Sequence, residues 1–84
     1  MYEVLLERAA ERALKQLPKR DFERVIVAIR ALASNPRPSG CRKLVGGAGE
    51  WRLRVGDRRV LYEIDDSAHV VRVLLVRHRR EAYR

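Results

Sequence analysis

The sequence predicts an α+β fold: an N-terminal strand, a two-helix hairpin, then an antiparallel sheet of three to four strands. Three features lead there. Apolar residues alternate at the N-terminus, recur at three- and four-residue spacing up to Ala33, and alternate again after a connector rich in Pro, Ser and Gly. At 84 residues the chain has room for one core, so residues 1–84 are expected to form a single domain.

Each element has its own local reason. In YEVLLE, Tyr2, Val4 and Leu6 alternate with Glu3 and Leu5, as in a short strand. Ala9, Ala10, Ala13, Leu14 and Leu17 then recur at helical spacing, and Pro18 removes the helical region from its predecessor and ends that helix. A second helix begins near residues 19–21. Phe22, Val25, Ile26, Ile29, Leu32 and Ala33 form its buried stripe, and Asp21 suits the positive end of its dipole. Val27 and Ala31 lie off that stripe, as part of a broad buried face or of a small partner patch.

SNPRPSG, residues 34–40, breaks the helix and runs on as an extended connector. A short strand follows around residues 42–45. Gly46, Gly47 and Gly49 make a turn and not a phosphate-binding loop, because no helix follows them. Three strands fit the rest, at residues 50–55, 58–64 and 69–76; Gly56 and Asp57 form a two-residue hairpin loop and residues 65–68 the next turn.

Composition narrows the function. Lys and Arg number 19 against 11 Asp and Glu, a net charge of +8 that calls for a polyanionic partner. Cys41 is the one cysteine, and His69 and His78 are the two histidines, so neither a disulfide framework, nor a metal site, nor a cofactor is expected. The absence of signal-peptide patterning and of any long apolar run predicts a cytoplasmic protein that does not engage a membrane.

The placement of the arginines says more. With Gly56 and Asp57 as the loop, Arg54 faces Arg59, Leu53 faces Val60, Arg52 faces Leu61 and Trp51 faces Tyr62. Trp51, Leu53, Val55, Val60, Tyr62 and Ile64 then share the helix-covered face, while Arg52, Arg54, Arg59 and Leu61 share the other. Arg58 goes with the core face near the turn. Carrying the register onward puts Val71, Val73 and Leu75 on the core face and Arg72 with the arginines. Like charges directly opposed across a ladder destabilise by a few tenths to ~1 kcal/mol. A solvated outer face is one explanation; a preformed cradle for phosphate is the other. The tail RHRREAYR adds Arg77, His78, Arg79 and Tyr83, either as a frayed basic end or as proton-transfer and anion-binding groups at the end of the last strand.

The runs NPRPSGCRKLVGGAGEWRLRVGDRRVLYEID and VVRVLLVRHRREAYR together resemble the RelE/ParE superfamily of bacterial and archaeal toxins, in particular its RelE-type members. The resemblance implies a toxin held by a cognate antitoxin in an oligomeric complex. It also implies an endoribonuclease that cuts messenger RNA in the ribosomal A site without a metal, by attack of the ribose 2′-hydroxyl on the adjacent phosphate. By residue, it implies that Arg52 and Arg54 fill the basic positions of the central strand, Arg59 that of the next strand, and Arg79 and Tyr83 the C-terminal active-site pair. His78 and Tyr83 are the candidate bases, and Arg72 and Arg77 join Arg52, Arg54 and Arg59 in binding RNA. Arg77 stands where the family has glycine, Arg58 where it has tyrosine, and Ala82 where valine is frequent. Two alternatives share the scaffold or the charge: a ParE-like inhibitor of DNA gyrase, and a basic RNA- or ribosome-binding module without catalysis.

Overall fold

The computed structural model describes residues 1–46 and 49–78. Its elements follow the expected order: strand β1 (Glu3–Leu6), helices α1 (Arg8–Lys15) and α2 (Lys19–Ala31), then strands β2 (Cys41–Lys43), β3 (Glu50–Val55), β4 (Arg58–Asp65) and β5 (Val70–His78). The break between the helices falls at Pro18, which is the N-cap of α2 and whose carbonyl accepts a hydrogen bond from Phe22 N–H at 2.9 Å. Asp21 lies in the first turn of α2 and Arg30 in its last, each complementing the dipole.

The strands form one five-stranded sheet in the order β1-β5-β4-β3-β2. Four of them, β2 to β5, are antiparallel, whereas β1 pairs in parallel with β5 through Val4 opposite Val71 and Leu6 opposite Val73. The sheet is therefore mixed at one edge. The parallel contact follows from the two helices: they carry the chain across one face before the hairpins begin, so that β1 is left at the edge where the last strand arrives.

Both helices cover one face, α1 against β5 and α2 against β3 and β4. Ala10, Leu14, Val25, Ile29 and Leu32 from the helices and their C-terminal turn meet Leu53, Val60, Tyr62, Val71, Val73 and Val76 from the strands. Aliphatic burial of this kind contributes about 25 cal/mol per Å² of apolar surface removed from water. Val27 and Ala31 are exposed, outside this core.

The hairpin register agrees with expectation at every pair from Trp51–Tyr62 to Val55–Arg58. Gly56 has φ +60° at the first loop position, where a two-residue hairpin turn requires it. The next pairing does not run straight. Leu61 pairs with Leu75 but Tyr62 with Val73, so Leu74 is an extra residue, a β-bulge. Beyond it the alternation is reset: Val76 is buried opposite Val60, and Leu75, expected on the core face, lies on the outer face opposite Leu61.

Candidate nucleic-acid interface

The outer face is ordered in cross-strand rows. Nearest the hairpin turn, Arg54, Arg59 and Arg77 lie side by side on β3, β4 and β5. In the next row stand Arg42, Arg52, Leu61 and Leu75, from β2 to β5. The bulge at Leu74 is what brings Arg77 opposite Arg59; an unbroken ladder would have turned it to the helices. Three like-charge pairs thus face each other directly: Arg42 with Arg52, Arg54 with Arg59 and Arg59 with Arg77. Gly40, Arg42, Arg52 and Arg54 line a groove of ≈ 520 Å³. Guanidinium forks around such a hollow match the geometry of phosphate oxygens.

Arg42 is a member of this cluster that the sequence alone did not single out. Its signal was the register of β2, legible only once Cys41 is seen to pair with Leu53. Arg59 departs from expectation in another way. It sits on the arginine face, yet only 3% of it is exposed, with Nη1 3.4 Å from the Arg58 carbonyl. Arg59 therefore adds positive potential from beneath the surface, while Arg42, Arg54 and Arg77 are exposed and Arg52 is half-buried.

The remaining candidates divide. Arg72 is on the outer face but two rows away from the Arg54 row, opposite Glu63, and its Nε lies 3.5 Å from Glu7 Oε1. His78 pairs with Arg58. That register puts His78 on the helix side, away from the other arginines; Arg58 there donates through Nη2 to Asp21 Oδ2 at 3.2 Å. Arg79 and Tyr83 lie outside the described residues. Among the described residues no group of three His, Cys, Asp or Glu side chains is placed to hold a metal ion.

A polar clasp fixes the connector that leads into β2. Arg37 donates to Asp66 Oδ2 at 2.8 Å and Oδ1 at 3.3 Å, and Tyr2 donates its hydroxyl to Oδ1 at 2.5 Å. The guanidinium also lies 5.2 Å from the centre of the Trp51 ring, a cation–π contact. Buried Tyr62 donates to the Pro36 carbonyl at 2.8 Å. Hydrogen bonds from Arg37 and then Tyr2 lower the Asp66 pKa to about 2. The Asp66 carboxylate raises the pKa of the Tyr2 hydroxyl, and burial raises that of Tyr62. With the connector held at Arg37 and Pro36, Gly40 and Arg42 are positioned at the arginine groove.

Comparison with known proteins agrees with this architecture. A chain of the archaeal RelE-RelB complex from Pyrococcus horikoshii OT3 superposes with a TM-score of 0.82 at 29% identity, covering 93% of this chain and 94% of that one. A chain of the toxin-antitoxin complex RelBE2 from Mycobacterium tuberculosis gives 0.82 at 34% identity, over 93% and 98% of the two chains. The isolated RelE toxin of E. coli shares the fold with a TM-score of 0.80 at 20% identity, over 93% and 84%. None of the curated proteins matches significantly. The family described as the ParE toxin of type II toxin-antitoxin system, parDE, matches residues 4–83, so the chain belongs to the RelE/ParE toxin superfamily and is a toxin of a type II toxin-antitoxin system.

Proposed function

We propose that this toxin is a ribosome-dependent endoribonuclease that cleaves messenger RNA in the A site. The observation that carries the reading is the set of directly opposed arginines, Arg42–Arg52, Arg54–Arg59 and Arg59–Arg77, on the sheet face opposite α1 and α2. Like charges opposed across a ladder cost stability, and guanidinium forks are matched to oxyanions. Attack of a ribose 2′-oxygen, its proton passing to a base, on the adjacent phosphorus forms a crowded phosphorane; the P–O5′ bond then breaks and the 5′-oxygen leaves as a hydroxyl on taking up a proton, leaving a 2′,3′-cyclic phosphate. Guanidinium groups suit this chemistry: Arg52 and Arg54, with Arg42 and Arg77, hold the phosphate oxygens as negative charge builds, and no metal is needed for that stabilisation. Arg79 is assigned the same role.

Tyr83 is the preferred base, a phenol whose hydroxyl can transfer a proton. His78 is placed second because its ladder partner is Arg58, on the helix side. A small antitoxin is the expected partner, since chains similar to this one occur in RelE-RelB and RelBE2 complexes. A cytoplasmic site of action follows from the proposed substrate.

The gyrase-inhibitor reading is favoured by the ParE description of the matching family. Mapping messenger RNA ends after brief expression separates the two. Cuts at a fixed position within codons are expected; intact messages together with DNA-damage signalling would overturn the nuclease reading.

A further inference from the structure

The arginine groove occupies half of the outer face, and the other half has the opposite charge. In the row after Arg42 and Arg52, Glu50 stands directly opposite Glu63, and in the row beyond it Asp65 and Glu3 flank Val70. Arg72, across the ladder from Glu63, turns to Glu7 at 3.5 Å. Glu50 Oε2 is buried without a hydrogen-bond donor among the described residues. Glu63, Asp65 and Asp66, with Arg72 as the one cation, line a second hollow of ≈ 420 Å³ at this end, separate from the groove of Arg42, Arg52 and Arg54.

The dimensions give this charge step a consequence. Successive rows on one face are two residues, about 7 Å, apart, and neighbouring strands are about 4.8 Å apart. The basic zone is therefore two rows deep along the strands but four strands wide, from Arg42 on β2 to Arg77 on β5. The Glu50–Glu63 row lies about one Debye length from Arg52 at physiological salt, so its repulsion reaches a phosphate at the edge of the groove.

We infer that Glu50 and Glu63 close one side of the RNA site, so that the RNA backbone crosses the strands from β2 to β5 and extends no further towards the β4–β5 turn. This rests on the nuclease reading above. The pair acts as a specificity device: it limits how many nucleotides the sheet contacts and sets the direction in which they run.

The test uses the whole protein and a series of uncleavable 2′-O-methyl RNA oligonucleotides, from dinucleotide to dodecanucleotide, with binding measured at several salt concentrations. Wild-type affinity should reach a plateau within the series. In the Glu50→Gln/Glu63→Gln variant, the plateau should move to longer oligonucleotides, with affinity for them raised about threefold for each phosphate relieved of a carboxylate about 7 Å away. Its salt slope on the longest oligonucleotide should be steeper by about 0.7 per added phosphate. The single Gln variants, each expected to give a part of the gain, serve if the double variant melts early by circular dichroism. An unchanged plateau and slope in the folded variants overturns the inference alone, provided that Arg52→Ala/Arg54→Ala weakens binding of the short oligonucleotides. If that arginine variant binds as the wild type does, the RNA reading falls and this inference with it.

Discussion

Arg54 opposite Arg59 is the residue pair at which folding and function diverge most clearly. Replacing Arg54 by Glu puts opposite charges across the ladder and is expected to stabilise the fold by a few tenths to ~1 kcal/mol, while weakening RNA binding. Urea unfolding beside RNA titration checks both halves; a less stable Arg54→Glu protein would contradict the repulsion argument. At the other end of the sheet, the Asp66 carboxyl titrates at about 2 in the fold against an ordinary 3.8. A depressed pKa contributes stability that is complete above the unfolded value and is lost as pH falls through the folded one. Asp66→Asn should therefore be less stable than wild type at neutral pH, with the difference shrinking between about pH 4 and pH 2 in thermal melts. A stability difference that stays constant down to pH 2 would rule out the charged clasp as its source. Neither the clasp nor the burial of Arg59 was legible in the sequence. Tyr2, Arg37 and Asp66 come together only through the fold, and alternation assigns Arg59 to a face without saying how deeply it is covered.

At the scale of elements, the local signals were sufficient wherever a turn fixed the register. Gly56 and Asp57 separate two alternating runs by two residues, and this alone placed Arg52, Arg54 and Arg59 on one face and Arg58 on the other. Gly56 carries that register. Its φ is +60°, and a Cβ there would meet Arg24 Nη1 at 3.2 Å, so Gly56→Ala is expected to cost about 1–2 kcal/mol, read from chemical denaturation. A neutral substitution would mean that the turn relaxes to another type. Register was not legible beyond the β4–β5 turn, because in VVRVLLVR either Leu74 or Leu75 can be the extra residue and each is acceptable on either face. The bulge decides what alternation could not: it sends Leu75 outward and aligns Arg77 with Arg59. The parallel seat of β1 was hidden for a similar reason, since a strand's own pattern names its buried face and not its neighbour.

For the molecule as a whole, a charge of +8 announced a polyanionic partner but not where it binds. The fold resolves this charge into a basic half and an acidic half of one sheet face, backed by a layer of two helices. Fold class and superfamily were legible because the hairpin and the connector before it are local patterns; the division of the outer face needed the order of all five strands. The decisive measurement is made with purified, antitoxin-free protein added to ribosomes that carry a defined message and an empty A site. A cut within the A-site codon, ending in a 2′,3′-cyclic phosphate and absent from the same message without ribosomes, is the predicted result. An intact message under conditions in which the protein still arrests DNA gyrase would contradict it.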